Sequence, residues 1–441
     1  MFCDYNAGMA AESHHSRRAF LQGRAAARLL ADKAAHWFEG QGALWPSPEP
    51  RKEWTSVHLL ASRRAMACEF QVQYHAADGP DATEAMVTAL DIVDAVEDQL
   101  TVYRDVSDVA TINAHAGRGP VAVEERLFEL CQLSRRLCLE TDAAFDITSG
   151  PLSRAWGFLK RAGRMPAEAE IAAARNCVGM DCWQLDPERQ TITLHSAESE
   201  INFNAIGKGY ALDQADQWLA SQGMSDYLWH GGRSSVLARG RNRALPCPRA
   251  QTGQLGNDRQ PGAGQIGAGQ IGAGQHDNEK RSRGPRSHAI QGQALEGWTI
   301  GLPHPLQPNR RLAEFYLCDT ALATAGSKTQ FFEHQGASYG HVIDPRTGWP
   351  ANKVITATAI APTAAEADAL ATAFYVMGPE RTSVYCRRHA QVKCVLICPA
   401  EQETDIVIHA FGMAANDWTL FGEDSGQAFQ GQGAILKDGS C

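Results

Sequence analysis

An α+β fold is what this 441-residue sequence predicts, and two observations carry that reading. Strand-like and helical segments are both plentiful, yet they do not follow the regular β-α-β order of a doubly wound sheet. The apolar share, 44%, is ordinary for a soluble chain with a sizeable core.

The first strand candidate is Cys68–Tyr74, where apolar and polar residues alternate with period two. Ala82–Val102 then places Met86, Leu90, Val93, Val96 and Leu100 at helical spacing. Arg126–Glu140 is a second amphipathic helix. Thr191–Leu194 and Glu200–Phe203 read as neighbouring strands. Further strands are expected at Val236–Ala238, Trp298–Leu302, Leu312–Leu317, His341–Ile343, Ile355–Ala361 and Val392–Cys398. Thr363–Met377 and Glu380–Arg388 complete the set as helices.

Residues 1–55 are a polar leader with one amphipathic helix carrying Leu21, Leu29 and Leu30. Ser16-Arg17-Arg18-Ala19-Phe20-Leu21 resembles the start of a twin-arginine export signal. Arg24, Arg28, Asp32 and Lys33 interrupt the apolar stretch that export requires. A cytoplasmic protein is therefore expected, with export as the alternative. Residues 56–440 form the main domain, interrupted at 241–294. That interruption holds three copies of Gly-Ala-Gly-Gln and the charged run Asn278–Arg286. Such composition cannot bury enough apolar surface to offset its ordering entropy, so it reads as a disordered loop insertion. Closure entropy grows slowly with length, and the core tolerates it.

A formal net charge of -9 predicts no nucleic-acid footprint, and a phosphate ligand would need local positive charge. No apolar run reaches the ~18–20 residues of a membrane span. The 12 cysteines include no Cys-x-x-Cys pair and no zinc-finger spacing. They read as reduced, mostly buried thiols.

Four segments could carry chemistry, and each also has a plain structural reading. In Glu366–Thr372, Asp368 and Thr372 lie four apart and share one helix face. Together they could offer hard oxygens to Mg²⁺; equally, Asp368 could serve the helix dipole while Thr372 bonds back to the backbone. Asn202–Asp213 reads as a strand end, a small-residue turn and a helix start. Its amides with Lys208 suit a pyrophosphate, although a tight turn with a surface lysine would look the same. It lacks the glycine and Ser/Thr spacing of a Walker A loop. Within Tyr339–Gly348, Asp344–Gly348 is a turn sequence preceded by His341, which could move a proton or donate to a phosphate. Ala143–Thr148 offers Phe145 and Asp146 to a flat heteroaromatic ring, or merely to the core.

Taken in order, these segments resemble the ApbE family across residues 60–400 apart from the insertion. The matching pieces are Ala65–Cys68, Tyr103–Asp105 with Asn113, Ala144–Thr148, Gly207–Asp213, Gly231-Gly232, Ala323–Gly326, His341–Gly348 and Ala367–Thr372. The resemblance implies an ApbE-like, T-fold-related arrangement of mixed sheets with packed helices and an FAD cleft. It implies transfer of the FMN half of FAD to a Thr or Ser hydroxyl of a flavoprotein, with release of AMP. FAD hydrolysis to FMN and AMP, and FAD storage without turnover, are the alternatives. By position, Asp368, Thr372 and the Ala205 carbonyl would hold Mg²⁺. Met66, Tyr103, Ala144, Phe145, Asp146, Asn202 and Thr324 would line the FAD site, and Lys208 and His341 would face its phosphates. His341 is the first choice for the proton acceptor and Asp344 the second. Three places depart from the family pattern. Arg233-Ser234-Ser235 stands where an acid often follows Gly-Gly; Thr324-Ala325-Gly326-Ser327-Lys328 replaces Thr-Ser-Gly followed by an acidic or aromatic residue; Asn202 and Asn204 replace a frequent Asp and Gly. These changes bear on the acceptor more than on FAD or the metal.

Overall fold

A computed structural model describes residues 58–160, 162–242, 297–326, 330–400, 405–421 and 434–437. The leader and its helix lie outside the described residues, as does the insertion apart from Arg241 and Asn242.

The alternation around Cys68 produces a hairpin of β1 (His58–Ala65) and β2 (Cys68–His75). Ala65 faces Cys68, and the two loop residues, Met66 and Ala67, have φ of 48° and 59°. Such left-handed pairs match the twist of the flanking strands in two-residue hairpins. The helical spacing that follows yields α1 (Gly79–Leu100). Next come α2 (Asp108–Ala114), β3 (Val121–Ala122) and α3 (Glu125–Glu140), whose N-terminus is capped by the Glu124 carboxylate. Short helices α4 (Gly150–Ala155) and α5 (Glu168–Arg175) lead to β4 (Trp183–Asp186) and β5 (Thr191–Leu194).

The remaining elements are α6 (Gly207–Ser221), β6 (Tyr227–Gly231), β7 (Ser235–Arg239), β8 (Trp298–Pro303), β9 (Arg311–Leu317) and β10 (Thr320–Gly326). They continue through the hairpin β11 (Phe331–His334) and β12 (Ala337–Gly340) to β13 (Thr356–Ala361) and α7 (Ala364–Arg388). The chain closes with β14 (Lys393–Pro399), β15 (Ile406–Phe411), β16 (Trp418–Leu420) and β17 (Ala434–Lys437). Within α7, Gly378 (φ 73°) and Pro379 break the helix into the two segments the sequence predicts.

An antiparallel nine-stranded sheet, ordered β1-β2-β6-β7-β10-β13-β14-β15-β17, organises the molecule. Period-two alternation sorts its side chains into two cores. Ala321, Ala323, Ala357, Ala359 and Ala361 share the core with α1, α6 and α7, and their small size lets the helices come close. Leu322, Val236, Ile360, Val395 and Ile397 point the other way and pack with Ile300, Leu302 and Phe315 of the small sheet β16-β9-β8. Mixed helices and antiparallel sheets make the fold α+β.

Two predicted strands are absent. Glu200–Phe203 is irregular and pairs with no strand. The Asn113 side chain takes a neighbour's place instead, accepting from the Ile201 amide at 2.9 Å and donating to the Ile201 carbonyl at 3.0 Å. The partners of β5 are β3 and β4. His341–Ile343 is likewise a connection after β12, with only Ile343 bridging to Pro350. The turn at Asp344–Gly348 folds this stretch back on residues 349–351, the Asp344 amide donating to the Trp349 carbonyl and the Ala351 amide to the Val342 carbonyl at 2.9 Å each.

Of the nine described cysteines, Cys131, Cys138, Cys386, Cys394 and Cys398 are buried free thiols. Among the described residues no helix is long and apolar enough to cross a membrane.

Candidate active site

The site begins where two helix N-termini meet. Asp213 of α6 accepts from the Ala364 and Ala365 amides at 2.8 Å each, capping α7 together with Thr363. These amides would otherwise lack intrahelical partners. Close approach is possible because position 209 is glycine: a Cβ there would stand 2.0 Å from the Ala364 carbonyl oxygen.

This contact places Asp368, 5% exposed, one turn into α7 and beside the start of α6. Its Oδ2 accepts from the Gly209 amide at 2.7 Å, and its Oδ1 accepts from the Ser235 hydroxyl at 2.6 Å. Lys208 Nζ lies 3.7 Å from Oδ2. In a continuous helix the Gly209 amide would turn to the Ala205 carbonyl; here it turns to Asp368. Thr372 follows on the same face and donates to the Asp368 carbonyl at 3.3 Å. Thr372 thus bonds back to its own helix backbone, and its donating hydroxyl still has lone pairs.

Asp368, Thr372, Ala205 and Lys208 all line one cleft of about 1400 Å³. Carboxylate, hydroxyl and peptide carbonyl are hard oxygen donors, which suit a dication such as Mg²⁺ that keeps positions for water or phosphate. Among the described residues no group of three or more His, Cys, Asp or Glu side chains is placed to hold a metal ion.

His341 also lines the cleft. Its Nδ1 lies 3.1 Å from the Gln330 carbonyl. A carbonyl only accepts, so Nδ1 carries the proton and Nε2 keeps its lone pair. Burial lowers the His341 pKa below 6.5; the Gln330 bond opposes that shift and nearby Lys208 adds to it.

The cleft wall is built from turns. Asp142 and Ala143, with φ of 52° and 58°, swing Phe145 and Asp146 inward. Both side chains are almost fully buried while still bordering the cleft. Asp146 Oδ1 accepts from the Thr148 amide at 2.8 Å and hydroxyl at 2.6 Å. Burial raises its pKa, and the Thr148 bonds pull against it. Met66 enters from the β1–β2 turn, and Tyr103, 68% exposed, stands at the rim. Asn202 borders the cleft with its Oδ1 turned to the Asn204 amide at 2.8 Å. Thr324 borders it too, with its hydroxyl 3.1 Å from that of Thr358.

Two predicted site residues are not brought into the cleft lining. Ala144 is buried at 1% exposure. Asp344 holds the Arg346 guanidinium through both carboxylate oxygens at 2.8 Å and accepts from the Arg346 amide at 3.0 Å. That pairing makes it a turn-forming residue with both carboxylate oxygens engaged by Arg346. Conversely, Ser235, Gln330, His230, Phe158 and Glu97 border the cleft or hold its side chains without having been expected. Ser235 carries a faint signal as the polar residue opening an apolar strand; Gln330 carries none. Ser327 and Lys328, in one of the departing stretches, lie outside the described residues.

Comparison with known proteins gives this arrangement a context. The family model described as ApbE family matches residues 66–247 and 281–396, leaving part of the predicted insertion unmatched. The FAD:protein FMN transferase of Vibrio cholerae is 28% identical over 330 residues, 74% of this chain and 82% of that protein. Its counterpart in Escherichia coli K12 is 24% identical over 348 residues, 77% and 84% of the two chains. The solved flavin transferase ApbE from Vibrio cholerae superposes with a TM-score of 0.60 at 23% identity, covering 80% of this chain and 96% of that one. The apo form of the Pseudomonas stutzeri flavinyl transferase ApbE gives 0.62 at 23% identity, covering 80% and 94%. These structures share the fold. Because the family model spans most of the chain and runs through every cleft residue described above, this protein belongs to the ApbE family.

Proposed function

We propose that this protein transfers the FMN moiety of FAD to a Thr or Ser hydroxyl of a flavoprotein, releasing AMP, with Mg²⁺ bound at Asp368, Thr372 and the Ala205 carbonyl. The observation that carries the reading is the convergence of Asp368, Lys208 and His341 on one cleft walled by Phe145, Met66 and Tyr103. The names of the similar Vibrio and Escherichia proteins support it.

The chain's own residues account for the needs of phosphoryl transfer, which are mainly positioning and charge neutralisation. The acceptor oxygen bonds the FMN phosphorus as the bond to the AMP oxygen breaks, and the hydroxyl proton must go to a base. His341 offers an unprotonated Nε2 held in orientation by Gln330. Lys208 supplies positive charge toward the pyrophosphate in an otherwise acidic protein. Phe145 and Met66 give the flavin or adenine ring apolar faces. The metal, when bound, supplies Lewis acidity toward the phosphate oxygens.

Incubating the full chain with FAD, Mg²⁺ and a candidate acceptor protein tests the proposal. AMP release dependent on the acceptor, with the acceptor becoming covalently flavinylated, is the expected result. AMP release at the same rate without acceptor would replace transfer by hydrolysis, and FAD binding with no AMP would leave only storage.

A further inference from the structure

Asp368 is held by two donors that come from distant parts of the chain, and only one of them belongs to the phosphate-binding turn. The Gly209 amide holds Oδ2, while the Ser235 hydroxyl, on the first residue of β7 and 1% exposed, holds Oδ1 at 2.6 Å. We infer that Ser235 is a positioning residue that sets the orientation of the Asp368 carboxylate for the metal; the inference rests on the metal reading proposed above.

The physical case has three parts. A helical Asp has free rotation about χ2, broad and roughly two-fold for a carboxylate, so a single amide donor on Oδ2 fixes one oxygen and leaves the plane of the group free. A second donor on Oδ1 fixes that plane. The Ser235 side chain is itself immobilised. It opens β7, paired to Gly231 of β6 on one side and to Ala323 of β10 on the other, so its Cβ direction is dictated by the middle of the nine-stranded sheet. Finally, a hydroxyl donates one proton and brings no charge. It orients the carboxylate without adding to the positive charge that Lys208 already brings 3.7 Å from Oδ2. Partners that orient a metal-binding side chain typically govern metal affinity by about 10- to 100-fold. The bond joins the Ser235 stretch, one of the places where this chain departs from the family pattern, to the metal-binding helix.

Mn²⁺ binding to the full-length protein with FAD present, followed by electron paramagnetic resonance of the free ion, reads this directly and without turnover. Ser235→Ala is expected to weaken Mn²⁺ binding by about 10- to 100-fold while FAD affinity measured without metal stays unchanged. Ser235→Thr, which keeps the hydroxyl, is expected to bind Mn²⁺ within about threefold of the unmodified protein. Should Ser235→Ala unfold, Ser235→Cys, a near-isosteric weak donor, serves in its place with the same expected loss. If these variants fold and bind Mn²⁺ as the unmodified protein does while Asp368→Ala does not, Ser235 has no positioning role. If Asp368→Ala also binds Mn²⁺ normally, the metal assignment itself fails.

Discussion

Replacing Gly209 by alanine tests the joint on which the cleft is built. A Cβ at this position would meet the Ala364 carbonyl oxygen at 2.0 Å, its carbon at 2.3 Å and the Ala365 nitrogen at 2.6 Å. All three are backbone atoms, so no side chain can swing aside. Ordinary contact lies near 3.5 Å, and α6 and α7 must therefore part by roughly 1.5 Å. Overpacking of this kind costs about 1–3 kcal/mol. The Gly209 amide would also draw away from Asp368, and a hydrogen bond to a charged group contributes about 1.5–3 kcal/mol. The combined loss of about 2.5–6 kcal/mol predicts a Tm lower by roughly 5–24 °C, at about 2–4 °C per kcal/mol. Thermal unfolding followed by circular dichroism measures it, and Mn²⁺ binding should weaken in the same variant. A Gly209→Ala protein melting within about 2 °C of the unmodified one, with intact Mn²⁺ affinity, would refute the close-approach argument.

Asp368→Ala should abolish Mg²⁺-dependent AMP release; near-normal release in that variant rules out the metal assignment. His341→Ala should slow transfer by about 10²–10⁴-fold with FAD binding retained, as measured by single-turnover AMP release and flavin fluorescence. Because burial lowers the His341 pKa below 6.5, the base stays unprotonated into mildly acidic solution. The acidic limb of the rate should therefore be centred below the ordinary histidine value of 6.5. A limb centred above pH ~7 would point to a different base. Asp213 offers a stability test: burial raises its carboxyl from 3.8 to about 7 against the pull of the Ala364 and Ala365 amides. An acid raised on folding binds its proton more tightly in the native state. Its contribution is thus full below the unfolded value of 3.8 and is lost as pH rises through about 7. Asp213→Asn should flatten the pH dependence of urea unfolding in that window, and an unchanged profile would show that Asp213 does not titrate there.

What the amino-acid sequence determined by itself is local. Helical spacing located α1, α3 and both halves of α7, because a 3.6-residue period needs no knowledge of the partner face. Alternation located β2 and β5 for the same reason. The spacing of Asp368 and Thr372 put both on one face of a helix, and the turn chemistry of Asp344–Gly348 was legible from its residues. The tertiary structure decided whatever depends on which distant groups meet. Glu200–Phe203 alternates like a strand, yet its ladder partner is the side chain of Asn113, and no periodicity records that substitution. Asp344 has the right chemistry for a base, but Arg346 claims both of its oxygens. Asp368 acquires its orientation from Gly209 and Ser235, 159 and 133 residues away in the chain. Contacts at such separations are set by sheet order and helix packing, so a linear pattern could name the carboxylate and not what holds it.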